Sequence, residues 1–211
     1  MSKKLRIAVL ASTRATDMQA IIDKIKSGEL NAEIACVISN KKDAYALERA
    51  RMHGIEAIFI DPKGKTPEEY DKEILNELKK RNVDLVLLIG YNKYITKVLI
   101  DEYRNRIMNI HPSLLPAFPG WDKEVHKAVL DYGCKVTGCT LHFVDEKLDA
   151  GPIILQKAVE VLEDDTVESL KERVQKAEQE ILIEGIKLFM EGRLKVENNK
   201  VRILKHGPAG I

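Results

Sequence analysis

Residues 83–89, Val-Asp-Leu-Val-Leu-Leu-Ile, form a near-continuous apolar run of strand length. A strand that is apolar at almost every position has no face to turn to water, so such a run belongs at the covered centre of a parallel sheet. The segments before it fit the same architecture. Ile7 to Ala11 reads as a buried strand, followed by the polar turn Ser12-Thr-Arg-Ala-Thr16. Met18, Ile21, Ile22 and Ile25 then recur at helical spacing, and Gly28 closes that helix. Glu33 to Ser39 is the next strand, Ala44 to His53 a short helix stopped at Gly54, and Glu56 to Ile60 a third strand. Thr66-Pro67-Glu68-Glu69 is a helix start with a capping residue, a proline at the first helical position and a glutamate three residues after the cap. That helix runs to about Lys80, and a further helix from Thr96 to Tyr103 leads to a strand at Ile107. Regular β-α alternation predicts a parallel α/β sheet with helices on both faces and ligands gathered beyond the carboxyl ends of its strands. Three loops leave at that edge: Ser12 to Asp17, Gly90 to Lys93, and Asn109 to Gly120.

The second half changes character. After a helix near Glu124 to Leu130, two long strands, Lys135 to Val144 and Ile153 to Val161, flank the connection Asp145-Glu-Lys-Leu-Asp149-Ala-Gly-Pro152. Thr166 opens a long amphipathic helix with Val167, Leu170, Val174, Ala177 and Ile181 on one stripe, and a final strand near Val201 to Leu204 ends the chain's regular structure. With no flexible linker, repeat or low-complexity segment, the expectation is a single domain over 1–211, with an N-terminal lobe of about 1–105 and a C-terminal lobe of about 106–211.

The chemistry concentrates in Asn109-Ile-His111-Pro-Ser-Leu-Leu-Pro116. On a strand, residues two apart share a face, so Asn109 and His111 present an amide donor beside a titratable base, and Pro112 helps end the strand. Such a pair suits carbonyl chemistry, the amide holding a developing oxyanion while the imidazole moves protons. The plain alternative is a strand end whose polar groups satisfy a turn. The carboxylate-rich 145–152 connection likewise reads either as a solvated turn or as the source of an acid that fixes the imidazole's tautomer. His142 lies between Leu141 and Phe143 and reads as a structural histidine, with His53, His126 and His206 at the surface.

Composition sets the outer limits. The chain has 211 residues, 45% hydrophobic and 32% charged, with a formal net charge of +1. Acids and bases interleave, so nothing asks for nucleic acid or an anionic membrane as partner. No stretch approaches a membrane span, and the first apolar run is too short for a signal peptide. The three cysteines lack metal-type spacing, which points to reduced thiols and a cytoplasmic location.

Asn-Ile-His-Pro-Ser-Leu-Leu-Pro, then Phe-Pro-Gly, then Val-Thr-Gly-Cys-Thr-Leu-His-Phe-Val, then Leu-Asp-Ala-Gly-Pro-Ile-Ile-Leu-Gln, closely resembles the 10-formyltetrahydrofolate-dependent formyltransferases. The early stretch Val37-Ile-Ser-Asn-Lys-Lys-Asp-Ala-Tyr-Ala-Leu-Glu-Arg-Ala-Arg51 shares the resemblance, which runs from Ile7 to about Leu194. Within the family the chain is similar to the small stand-alone members that formylate the amine of glycinamide ribonucleotide in purine synthesis. The resemblance implies the formyltransferase fold, a Rossmann-like, mostly parallel twisted sheet followed by antiparallel strands and a long helix. It implies catalysis by Asn109, His111 and Asp149. The substrate amine attacks the formyl carbon directly, through a tetrahedral intermediate, with 10-formyltetrahydrofolate as donor and no metal. It places the donor against Leu88, Tyr91, Asn92, Lys93, Tyr94, Ile95, Ile107 and Asn109, with Ile100 in the same apolar wall, closed by the backbone from Val144 and Asp145 to Asp149. It places the ribonucleotide at Ala15, Thr16, Asp17 and Glu178. The implied partners are these small molecules, with a homodimer compatible with the chain.

The match weakens on the ribonucleotide side. The family carries a glycine-rich turn ending in Gly-Ser-Asn where this chain has Ser12-Thr13-Arg14-Ala15-Thr16-Asp17. Ala15 narrows the backbone's freedom, and Asp17 reads as either a carboxylate beside a phosphate or a helix-start residue facing its own dipole. Pro67 stands where the family has an arginine, Asn92-Lys93 where it has Met-Arg, and Trp121 to His126 is about two residues longer. The acceptor therefore stays open between glycinamide ribonucleotide, another amine and water, and a non-catalytic folate-binding module is the remaining alternative.

Overall fold

The computed structural model describes residues 3–120 and 124–207. The chain divides into two compact units, Met1–Asn109 and Ile110–Ile211. The first holds β1 (Leu5–Leu10), α1 (Thr16–Lys26), β2 (Ala32–Ser39), α2 (Tyr45–Met52), β3 (Ala57–Phe59), α3 (Pro67–Lys80), β4 (Leu85–Leu88), α4 (Lys97–Glu102) and most of β5 (Ile107–His111). Its strand order is β3-β2-β1-β4-β5, and every pairing is parallel. β4 is the apolar run singled out above, buried at all four positions, between β1 and β5. Ile7 to Leu10 of β1 are fully buried beside it. The helices start and stop where local chemistry dictates. α3 opens with the complete capping box, Thr66 accepting from the Glu69 N–H and Glu69 from the Thr66 N–H.

The second unit contains α5 (Val125–Tyr132), β6 (Val136–Phe143), β7 (Ile153–Glu160), α6 (Val167–Met190), β8 (Leu194–Glu197) and β9 (Lys200–Ile203). β6 follows β5 in strand order and pairs antiparallel with β7. α6 packs on β6 and β7; of the stripe expected of it, Leu170, Val174, Ala177 and Ile181 are buried, while Val167 in the first turn is half-buried. A mostly parallel sheet with antiparallel strands and a long helix added toward the C-terminus is the fold the sequence pointed to.

Two expectations are corrected here. The single strand near Val201 to Leu204 is one arm of a hairpin, β8 pairing with β9. Asn198 and Asn199, both at positive φ (48° and 59°), make its two-residue turn, the geometry that matches the strands' twist. Leu194-Lys-Val-Glu is only four residues long and alternates with charge, so its strand signal is faint. His126, expected at the surface, is 6% exposed on α5. Its Nδ1 has no hydrogen-bond partner among the described residues, and burial lowers its pKa to about 4. His53 is half-buried beside Gln19 and Lys26, and His206 is exposed. The three cysteines are free thiols. Of the segment read as lengthened, residues 121–123 lie outside the described residues.

Candidate active site

β5 ends in His111, buried to 3% exposure, two residues after the half-buried Asn109. The loop that follows returns to meet the ring. Ser113 Oγ donates to the Ala117 carbonyl at 2.5 Å. Thr140 Oγ1 on β6 donates to the Ser113 carbonyl at 2.7 Å and accepts the Leu115 N–H at 3.0 Å. Gln156 on β7 donates to the Leu115 carbonyl and to Thr140 Oγ1, at 2.9 and 3.0 Å. Phe118, held at φ 49°, thereby presents its carbonyl 2.9 Å from His111 Nε2. A carbonyl only accepts, so Nε2 carries a proton. Nδ1 is left as the nitrogen that can change its protonation state.

That nitrogen faces a carboxylate. Asp149 Oδ2 lies 3.6 Å from His111 Nδ1, and the side chains of both are 4% exposed. The distance exceeds a hydrogen bond but is within Coulombic reach of a protonated ring. Asp149 is pinned by the Gly120 N–H, 2.7 Å from the same Oδ2, and its backbone adopts φ 50°, an uncommon conformation for a residue with a β-carbon. Gly151 makes the turn feasible: a Cβ there would sit 1.8 Å from the Phe143 carbonyl oxygen. The Phe143 N–H reaches across to the Pro152 carbonyl at 2.9 Å.

His142 completes the group. Its Nε2 is 3.7 Å from Asp149 Oδ1, and its Nδ1–H donates to the Phe143 carbonyl at 2.9 Å. Burial lowers its pKa; the Phe143 carbonyl and Asp149 oppose that, and His111 adds to it. Asp149 therefore stands between two imidazoles, each tied at its other nitrogen to a main-chain carbonyl. A neutral ring and a ring able to charge, sharing one buried acid, can hold and deliver a proton without a second acidic side chain.

The remaining residues singled out above fall as follows. In the first unit, Leu88, Tyr91, Ile95, Ile100 and Ile107 are all buried, so their side chains belong to the core. What the loop after β4 offers a ligand is main chain, together with the exposed Asn92 and Tyr94. Lys93 Nζ sits over the Tyr70 ring at 5.0 Å. Ala15 caps α1 at φ 47° with no side-chain cap, Thr16 is the first helical residue, and Asp17 is buried in the first turn. In the second unit Val144 and Asp145 are half-buried where β6 gives way to the loop, and Glu178 is buried on α6. Sequence reasoning missed the Phe118 carbonyl, the Gly120 N–H and the Ser113–Thr140–Gln156 support. The first two are main-chain groups and leave no mark in the residue types.

Comparison with known proteins converges on one description. A family model described as formyl transferase matches residues 5–186. A curated phosphoribosylglycinamide formyltransferase of Haemophilus influenzae is 40% identical over 92% of this chain and 91% of its own length. The crystal structure of glycinamide ribonucleotide transformylase 1 from Symbiobacterium toebii superposes with a TM-score of 0.91 at 47% identity, covering 96% of this chain and 95% of that one. A formyltetrahydrofolate deformylase structure from Pseudomonas syringae is also similar, with a TM-score of 0.87 at 31% identity over 97% of this chain and 67% of its own.

Proposed function

The chain belongs to the formyl transferase family, and from that premise we infer that it transfers a formyl group to the amine of glycinamide ribonucleotide, a step of purine biosynthesis. It is an enzyme of the formyltransferase class. The donor is 10-formyltetrahydrofolate, which supplies a one-carbon unit already activated at the formyl level. The loop after β4 supports such a donor: it offers main chain together with the exposed Asn92 and Tyr94, polar groups of the kind that the edge of a flat heterocycle pairs with. The substrates are these two small molecules, and the reaction runs in the cytoplasm.

The arrangement of His111, Asp149 and His142 in the second unit supports the following roles. His111, donating through Nε2 to Phe118, keeps a fixed ring orientation and uses Nδ1 to give a proton to the departing nitrogen. Asp149, 3.6 Å from Nδ1, gives a proton on that nitrogen a negative partner. Asn109, on the same strand face, donates toward the oxygen that gains negative charge. His142, neutral and anchored on Phe143, shapes the far side of the carboxylate. Val144 and Asp145 line the donor side, and Ala15, Thr16, Asp17 and Glu178 serve the ribonucleotide.

The observation that carries this reading is the buried Asp149 carboxylate facing the one open nitrogen of His111. The test is an initial-rate assay with both substrates. Formylation of glycinamide ribonucleotide at no more than the uncatalysed rate would end the proposal. Water as acceptor is the second reading, and the likeness to the deformylase is what speaks for it. Higher identity and fuller coverage favour the amine. Formate release equal in rate with and without the ribonucleotide would reverse that preference.

A further inference from the structure

Three polar side chains close a ring at the carboxyl ends of β1, β2 and β4. Ser12 Oγ donates to Asn40 Oδ1 at 2.6 Å. Asn40 Nδ2 donates to Asn92 Oδ1 at 3.0 Å. The Asn92 main-chain N–H donates back to Ser12 Oγ at 2.9 Å. Turning one amide over alone sets two donors or two acceptors face to face between Asn40 and Asn92. Ser12 is 3% exposed, so its hydroxyl depends on these partners rather than on water. The main chain tightens the junction. The Ser12 N–H donates to the Gly90 carbonyl at 2.9 Å, and Gly90, at φ 59°, lies so close to Thr13 that a Cβ would approach its Oγ1 to 2.2 Å.

The far end of the second loop is anchored separately. Asp71 on α3 accepts from the Thr96 N–H at 2.6 Å and the Thr96 hydroxyl at 2.8 Å. The stretch from Asn92 to Thr96 is thus fixed at one end to α3 and at the other to the loop after β1. The first loop continues directly into Ala15, Thr16 and Asp17, while the second supplies Lys93 and Ile95. If one loop serves the ribonucleotide and the other the formyl donor, the Asn92 N–H to Ser12 Oγ bond joins the two directly, and Asn40 braces it by bonding to both residues.

We propose that Ser12, Asn40 and Asn92 act as positioning residues that couple the two loops, so that filling one ligand site prepares the other. A ligand that orders the 12–17 loop fixes Ser12 Oγ, which fixes Asn92 and with it the main-chain donors that follow. Linkage makes the effect reciprocal. The inference rests on the acceptor and donor assignment given above.

The test uses the full chain and bisubstrate initial rates, which give the factor by which each substrate alters the other's apparent affinity. In the wild type this factor is about 5-fold or more, the lower end of typical coupling. Asn40→Leu removes two of the three links at similar volume, leaves the Asn92 N–H to Ser12 Oγ bond unbraced and lowers the factor toward 1. Asn92→Asp, which keeps an oxygen acceptor for Asn40 Nδ2, retains most of it. A purely structural role would weaken both substrates together and leave the factor unchanged. Amide hydrogen exchange without ligands serves as the check on folding, since Asn40→Leu should speed exchange at residues 90–93 and leave β1 and β4 protected. An unchanged coupling factor in Asn40→Leu, or unchanged exchange at 90–93, overturns the proposal. A wild type that turns over with a factor of 1 overturns this inference alone. A wild type with no turnover of glycinamide ribonucleotide overturns the functional reading and this inference with it.

Discussion

His111 and Asp149 divide one task. The Phe118 carbonyl occupies Nε2, so every proton the ring exchanges passes through the nitrogen that Asp149 faces. His111→Ala is expected to lower kcat by about 100 to 10,000-fold, the usual weight of a general acid, with the fold intact by circular dichroism. Asp149→Asn keeps an acceptor for the Gly120 N–H but loses the charge. Its activity should therefore fall in an initial-rate assay, because the neutral amide no longer offers a negative partner to a proton on Nδ1. His126 supports a different prediction, on stability. Its folded pKa is about 4 against an ordinary value near 6.5. As pH falls through 6.5 the unfolded chain takes up this proton and the folded one does not, so stability drops between about 6.5 and 4 and levels off below. The loss is on the order of 1–3 kcal/mol. His126→Gln should flatten that part of a Tm-against-pH curve. None of this was legible from the histidine itself: its spacing on α5 places it on a face, but only the packed neighbours decide whether that face is covered.

The elements were legible to within one or two residues wherever a local rule set their ends. Thr66 caps its helix with the reciprocal hydrogen bonds its sequence suggests, and Thr166, read only as a helix start, does the same with Ser169. Removing either hydroxyl, as in Thr66→Ala or Thr166→Ala, should cost about 1 kcal/mol. For a chain of this size that lowers Tm by about 2–4 °C in a thermal melt. The hairpin arm β8 escaped notice because four residues of weak alternation carry little signal, and its pairing with β9 supplies what the segment lacks alone. The 145–152 connection was legible as a turn but not as a strained one. Gly151→Ala would drive a Cβ into the Phe143 carbonyl, with main chain on both sides. The loop must shift and carry Asp149 with it, and a displacement of an ångström typically costs about 100-fold in rate. Such a variant should show that loss in kcat/KM while retaining a cooperative melt.

At the scale of the whole molecule, a formal net charge of +1 from 34 basic and 33 acidic residues leaves little field to gather anionic polymers. The protein should elute from a heparin column at low salt, below about 0.2 M, where binders that neutralise many phosphates stay bound. Among the described residues no helix is long and apolar enough to cross a membrane. Periodicity, caps and turn residues by themselves determined the β-α alternation and the antiparallel addition that follows it. The ordered motifs determined the family, because those signals are local and written in side chains. Tertiary structure alone decided that His111 and His142 would face one carboxylate, Asp149, 38 residues beyond the first and seven beyond the second, that a carbonyl would fix the tautomer, and that Ser12, Asn40 and Asn92 would meet. Those are meetings of groups distant in the chain, several of them main-chain atoms common to every residue, and only the folded path of the backbone brings them within reach.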